Sequence, residues 1–456
     1  MSPVDMRVGW CPGALRPMPS GDGLVVRVKP RGGTLAPEIA AGIAEAAARH
    51  GNGALDLTGR ANLQIRGVED GSLAGLTRTL DALRLLDTDA EAEARRNVVA
   101  SPLAGLDPSA LFDVRPAVAV LEDRLVAEDG LVDLPGKFGF AVSDGGSLSL
   151  DGVAADVHFD AVLAPDGTER FAVRPDGGGS VAALCDAKDM ADVGVRLGSV
   201  FIAARARDPA LRRMRDLVAE VGAVAVLTEA GLIAETTPAV ARGRTATVVG
   251  LRTLAPGIPH AEPAAAQPCR GTDAGGNLVS EPSHVLGVAA AFGRLDAAGL
   301  DALARGALRI GAREIRMTPW RAVLVPGLAI SEAQRLASDC AAAGLIVDPS
   351  DPRLRVAACV GAPGCRRGTT AVRDHAARWA ALLGPGHAAD GIALHVSGCA
   401  KGCAHSGPAP LTLVAEEGRY GLVADGSAAD PASAVGLDAD EVRRLLRSAM
   451  GWDRLP

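Results

Sequence analysis

An internal repeat constrains this chain more tightly than any other feature. Gly33–Val68 lies over Gly293–Leu328 without a gap, at a constant offset of 260 residues. Identical residues coincide at Gly33/Gly293, Leu35/Leu295, Ala44/Ala304, Ala47/Ala307, Gly51/Gly311, Thr58/Thr318 and Gly67/Gly327. Apolar character coincides at Ile43/Leu303, Leu55/Ile315, Leu57/Met317, Leu63/Val323 and Ile65/Val325. Solenoid repeats run at roughly 20–50 residues, so this spacing implies duplication of a whole half-molecule. Each copy reads as strand, helix, strand. Val25–Val28 is a short β run, and Leu35–His50 carries helical apolar spacing at Leu35, Ile39, Ile43 and Ala47. Gly51 and Gly53 stop the helix, and Leu55–Val68 alternates as a strand. A second kind of segment follows each copy. Over 97–250 it shows Gly-rich turns at Asp144–Ser147 and Asp176–Ser180, an amphipathic helix near Pro209–Val221 and an apolar strand at Val224–Leu227. Ala255–Ser283 reads as a linker and Asp438–Met450 as a closing helix. The expected fold class is α+β, in two pseudo-symmetric halves.

Composition narrows the function. The 456 residues allow two to four domains. A net charge of −7 has the wrong sign for a general nucleic-acid or anionic-membrane binder, and 3% aromatics argue against base-stacking platforms. No apolar run reaches the roughly 18 residues of a membrane span, and MSPVDMRVGWCPG lacks a basic segment followed by an apolar one. The expectation is a cytoplasmic protein with no nucleic-acid and no membrane partner, whose eight cysteines are thiols, metal ligands or redox groups. Lysine occurs only at Lys29, Lys137, Lys188 and Lys401, so each deserves scrutiny.

Four cysteines fall within 45 residues, as Cys359-x5-Cys365 and Cys399-x3-Cys403, in the glycine-rich settings CVGAPGC and SGCAKGC. A cuboidal iron–sulfur cluster needs four converging thiolates, and glycines let backbone amides approach the sulfurs. Buried structural thiols or a zinc site are the alternatives. Zinc modules usually show C-x2-C or C-x4-C knuckles, and an x5 and x3 pair after strand-like RVAACV and IALHVSGC fits a cluster better. Cys11, Cys185, Cys269 and Cys340 are scattered and read as structural.

The segment LTGRANLQIRGV, read as a strand, places Arg60, Asn62, Gln64 and Arg66 on one face and Ala61, Leu63 and Ile65 on the other. A solvated face is the ordinary explanation. This one lacks Lys, Glu and Asp, and two arginines with two amides suit a ligand bearing several carboxylates. The matching positions of the second copy are Trp320, Ala322, Leu324 and Pro326, so only one copy keeps the polar face.

These motifs resemble those of the nitrite and sulfite reductase haemoproteins. In that family the C-x5-C and C-x3-C thiolates hold a 4Fe-4S cluster, and the last cysteine, here Cys403, bridges it to sirohaem iron. LTGRANLQ is similar to the family's T-x-R-x-N-x-Q motif, and ARRNVVASPLAG places Arg96 at a second active-site arginine. LPGKFGF places Lys137 at the first of two active-site lysines, while the second falls on Gly139. The resemblance implies ferredoxin-like pieces at 1–88 and 284–345, α/β reductase-like domains at 89–252 and 346–456, and a linker at 253–283. The last of these domains would hold the cluster.

Loss of the second lysine, together with WCPGALRP, LTGRANLQIRGV, LPGKFGFAVSDGG and MTPWRAVLVPGL, resembles one branch, the precorrin-3B synthases of aerobic cobalamin biosynthesis. That branch implies a monooxygenase. Its substrates are precorrin-3A and dioxygen, hydroxylation falls on the meso carbon between rings A and D, and a γ-lactone forms. It also implies a 4Fe-4S cluster on Cys359, Cys365, Cys399 and Cys403, a mononuclear non-haem iron and a reductant derived from NADH. Arg60, Asn62, Gln64 and Arg66 would bind substrate, and Arg96 and Lys137 would act in catalysis. No G-x-G-x-x-G follows a strand, so an external electron donor protein is expected. Ligands of the mononuclear iron stay open among His158 with Asp160, His260 with Glu262, and His405. The alternatives are a sirohaem-dependent nitrite or sulfite reductase and a non-catalytic electron carrier.

Overall fold

The structure, a computed structural model, describes residues 11–164, 166–236, 284–383 and 391–449. The expected linker, 253–283, lies outside the described residues, as do Cys269, His260 and Glu262. The chain begins with β1 (Met18–Ser20), β2 (Gly23–Val28), β3 (Thr34–Leu35), α1 (Pro37–His50), β4 (Ala54–Leu57), β5 (Leu63–Val68) and α2 (Asp70–Ala82). In α1, Pro37 sits in the first turn, Ala40, Ile43, Ala44 and Ala47 are buried along one stripe, and Gly51 caps the end. Next come α3 (Ala90–Arg95), β6 (Val98–Ala100), α4 (Arg115–Ala127), β7 (Phe140–Ser143), β8 (Val157–Leu163), β9 (Glu169–Pro175) and β10 (Val181–Asp186). The half closes with α5 (Met190–Arg207), α6 (Met214–Val221), α7 (Ala223–Glu229) and β11 (Ala234–Thr236).

The second half repeats this plan. It runs β12 (His284–Ala289), β13 (Arg294–Asp296), α8 (Ala297–Arg309), β14 (Ile315–Met317), β15 (Ala322–Leu328) and α9 (Ile330–Ala342). Then follow β16 (Val356–Ala358), α10 (Val372–Ala380), β17 (Leu394–Ser397), β18 (Ala409–Glu416), β19 (Arg419–Gly426), β20 (Ala434–Leu437) and α11 (Ala439–Ala449).

Two antiparallel sheets, β1-β2-β5-β4-β13 and β12-β15-β14-β3, exchange strands between the halves. Strand β13 pairs with β4, setting Leu295 against Leu55, and β3 pairs with β14, setting Leu35 against Ile315. Ile43, Leu55 and Ile65 therefore share one core with Leu303, Ile315 and Val325. The two mixed sheets, β11-β10-β9-β8-β7-β6 and β16-β17-β18-β19-β20, also share a pattern. In each the first three strands are parallel and the following ones antiparallel.

Backbone conformation carries the duplication further than residue identity does. Left-handed residues recur at the same offset: Gly32 and Phe292 (φ 55° and 57°), Gly33 and Gly293 (66° and 73°), Ala61 and Arg321 (54° and 61°). Gly67 and Gly327 (65° and 77°) and Arg84 and Gly344 (57° and 80°) continue the series. The expected α+β fold of two pseudo-symmetric halves is therefore present. Two local readings need correction. Leu55–Val68 is not one strand but a hairpin, because a turn at 58–62 separates β4 from β5. Val224–Leu227 lies in helix α7, which follows the left-handed Gly222 and buries Val226 and Leu227. Among the described residues no helix is long and apolar enough to cross a membrane.

Candidate functional site

The turn between β4 and β5 starts the site. Thr58 Oγ1 accepts from the Arg60 amide at 3.3 Å and the Asn62 amide at 3.1 Å, and Ala61 takes the left-handed conformation. This aims Arg60 and Asn62 into a cleft also lined by Lys29, Arg96, Asn97 and Gly139. Arg60 is half-buried and donates from Nη2 to the Lys137 carbonyl at 2.8 Å. Burial, with the nearby Arg213 charge, lowers its pKa.

Lys29 is the cleft residue that sequence reading passed over. It is buried at the end of β2 and donates from Nζ to the Glu93 carbonyl at 2.5 Å and Asn97 Oδ1 at 2.8 Å. Burial pushes its pKa down to about 7, aided by Arg27 and Arg96 and opposed by Glu93. The available signal was the scarcity of lysine and the alternation of Arg27 and Lys29 with apolar Val26 and Val28. Glu93 in turn accepts from the Ala14 amide at 2.6 Å and the Leu15 amide at 3.0 Å, which ties the WCPGALRP motif to this wall.

Arg96 borders the cleft, but its donors are committed elsewhere. Nε and Nη2 form a fork on Asp87 at 2.9 and 2.8 Å, Nη1 reaches Glu122 at 3.4 Å, and Nη2 also donates to the Lys29 carbonyl. Lys137 is exposed and stands beside Arg60 through its backbone alone. Gly139 is held by its amide to Asp156 Oδ2 at 3.0 Å. A Cβ there would meet the Asn97 carbonyl at 3.2 Å and Arg60 Nη1 at 3.5 Å. The position where the resemblance sets a second lysine is thus closely flanked by Arg60 and Asn97.

Gln64 and Arg66 lie on β5, further along the sheet face that carries Arg27, and are not among the residues lining this cleft. Gln64 pairs with Arg27 across the sheet, its amide oxygen 2.7 and 3.2 Å from the guanidinium nitrogens. Arg66 is buried and grips Asp22 at 2.9 and 2.7 Å, Ser20 Oγ at 2.9 Å and the Gly364 carbonyl at 2.5 Å. Gly364 precedes Cys365. One motif therefore lines the cleft at Arg60 and Asn62 and braces a cysteine loop at Arg66.

The cysteine loops leave the ends of adjacent parallel strands. Ala358 of β16 pairs with Val396 of β17, so the loops that carry Cys359 and Cys399 leave the sheet at the same edge. Cys359 and Cys403 both feel neighbouring thiols of the set. Desolvation raises Cys359, and Cys365 and Cys399 add to it, while amides of Gly398 and Gly361 oppose the shift. Cys403 is raised by desolvation and by Cys359, Cys399 and Cys365, with Lys401 opposing. The Gly398 amide donates to Cys359 Sγ at 3.1 Å. Thiols that discourage one another's ionisation, with an amide donor already aimed at one sulfur, suit a shared cationic iron body.

Cys185 and Cys340 are buried with thiols pushed up to about 12, as inert core cysteines are. Among the described residues no three His, Cys, Asp or Glu side chains are arranged to hold a single metal ion, so no ligand set for a mononuclear iron is assigned. Asp160 next to His158 is taken by Arg174 at 2.7 Å, and His405 Nε2 lies 3.1 Å from the Pro408 carbonyl.

Comparison with known proteins agrees with this architecture. The nitrite/sulfite reductase ferredoxin-like half domain matches residues 16–83 and 280–343. The nitrite and sulphite reductase 4Fe-4S domain matches 91–235, the copy without the four cysteines. A precorrin-3B synthase from Sinorhizobium sp is 31% identical over 425 residues, 93% of this chain and 84% of that protein. A sulfite reductase [ferredoxin] 2 from Mycolicibacterium paratuberculosis is 25% identical over 455 residues, 94% of this chain and 77% of that one. The structure of the Mycobacterium tuberculosis NirA protein shares the fold, with a TM-score of 0.70 at 21% identity, covering 93% of this chain and 80% of that one.

Proposed function

This chain belongs to the precorrin-3B synthases of the nitrite/sulfite reductase family, and from that membership we propose that it hydroxylates precorrin-3A with dioxygen. It is an oxidoreductase. The hydroxyl enters at the meso carbon between rings A and D, and the ring A acetate closes to a γ-lactone. What supports this reading is the motif Thr58–Val68, which reaches a cationic cleft at one end and a cysteine loop at the other.

In this reading Arg60 and Lys29 bind acetate or propionate carboxylates of the macrocycle, because buried cations gain most from a charged, hydrogen-bonded partner. Asn62 adds an amide, and Asn97 holds the Lys29 ammonium in place. Lys29 Nζ holds a proton below about pH 7 and releases it above, so it can also serve a proton transfer near neutrality. Arg96 braces the wall through Asp87 and Glu122. Cys359, Cys365, Cys399 and Cys403 would hold a 4Fe-4S cluster, which supplies single electrons when bound. The electrons come from an NADH-derived reductant through an external donor protein.

Anaerobically purified protein tests the assignment. The expected result is labile sulfide without extractable sirohaem, and oxygen-dependent conversion of precorrin-3A. Extractable sirohaem with turnover of nitrite or sulfite would replace it by the reductase reading. A reducible cluster with neither precorrin-3A binding nor oxygen consumption would leave an electron carrier.

A further inference from the structure

We infer that a knot of arginines centred on Asp56, extending to Arg321, sets the reduction potential of the four-cysteine centre. The inference rests on the cluster reading given above. Asp56 is 5% exposed, in β4. It accepts from Arg294 Nε at 2.8 Å and Arg373 Nη1 at 2.8 Å, and Arg66 Nη1 stands 3.5 Å away. Burial alone would raise the Asp56 carboxyl, yet Arg373, Arg294 and Arg66 hold it below its ordinary range. The knot thus contains a firm anion.

It contains more cation than that anion neutralises. Arg66, Arg294, Arg321 and Arg373 face Asp56 and Asp22, which leaves an excess of two positive charges. Two of these arginines touch the cysteine loops. Arg66 donates to the carbonyl of Gly364, beside Cys365, and Arg321 Nη2 donates to the carbonyl of Ala404 at 2.7 Å, beside Cys403. Arg321 also feels the charges of Asp56 and Cys359. It holds the left-handed turn position that Ala61 fills in the other copy, so at this one position the duplicated turn carries a cation in the second half and a methyl group in the first.

An iron–sulfur cubane on four thiolates is anionic and becomes more so on reduction, so nearby buried positive charge favours the reduced form and raises the potential. Charge and contact are separable at Arg321. Arg321→Gln removes the cation and keeps a donor for Ala404, while Arg321→Lys keeps the cation. Asp56→Asn removes the central anion.

The test is a dithionite titration of anaerobically purified full-length protein, followed by electron paramagnetic resonance, with labile sulfide measured in each sample. The expected result is a lower potential in Arg321→Gln, a potential near the parent's in Arg321→Lys, and a higher one in Asp56→Asn. Should Asp56→Asn fail to fold, the two Arg321 variants decide. An unchanged potential in Arg321→Gln with full sulfide would overturn the inference. So would loss of sulfide from both Arg321 variants, which would make the residue a brace for the loop. A parent protein with no sulfide and no signal would instead overturn the cluster reading, and this inference with it.

Discussion

Lys29, Arg60 and Arg96 border one cleft but should answer differently to mutation. Between about pH 7 and the ordinary lysine range near 10.4, the unfolded chain binds a proton that folded Lys29 has released. Stability therefore rises with pH across that window, by at most about 1.4 kcal/mol per unit, and this contribution is flat below it. Denaturant unfolding of Lys29→Met should lose that part of the slope between pH 7.5 and 9.5, and a slope equal to the parent's would place the ammonium in water. Arg60→Ala should weaken precorrin-3A binding by about 1.5–3 kcal/mol through loss of a charge-assisted contact. An absorbance titration giving parental affinity would remove Arg60 from the site. Arg96→Ala should act mainly on folding, costing about 3–5 kcal/mol by stranding Asp87 and Glu122. Intact stability with lost turnover would contradict that assignment. That Arg60 borders a cleft and that the four cysteines lie near one another could be expected, because their residue types and spacing carry chemistry. The burial of Lys29 could not, because nothing local distinguishes a lysine that folding buries from one that it leaves in solvent.

At the scale of elements, the period of two in LTGRANLQIRGV misled about the strand and still picked out residues that border the cleft and touch a cysteine loop. Gln64 and Arg66 alternate on β5 with buried Leu63 and Ile65, whereas Arg60 and Asn62 belong to a turn. The turn was hard to read because its left-handed position holds Ala61, not glycine or asparagine. Val224–Leu227 failed for the opposite reason, since a run of apolar residues with two valines has no period to separate a strand from a short buried helix. The hairpin of β1 and β2 provides a test. Ser20 Oγ donates to the Gly364 carbonyl at 2.6 Å and the Gly21 amide to the same oxygen at 3.3 Å. A Cβ on Gly21 would collide with the Pro363 carbonyl. Gly21→Ala should cost about 1–3 kcal/mol and lower the sulfide content. Parental melting and sulfide in that variant would show the hairpin is not packed on the loop.

Across the whole molecule, duplication explains why the two lobes share a topology and exchange strands. The repeat was visible over Gly33–Val68 because glycines and core positions survived there. The strand exchange was invisible, since Thr34–Leu35 is too short to leave a period. The mixed sheets kept their topology while their sequences diverged, for one end carries thiols and the other does not. Because β3 and β13 cross over and the halves share a core, neither half expressed alone should fold, and co-expression should restore the fold as judged by circular dichroism. In the proposed function the cysteine centre and the Arg60 cleft form one site. The most direct measurement is the electron paramagnetic resonance spectrum of the reduced protein with and without precorrin-3A, under strict exclusion of oxygen. A change in the cluster signal that saturates with the macrocycle is the predicted result. Saturable binding that leaves the signal untouched would contradict the account.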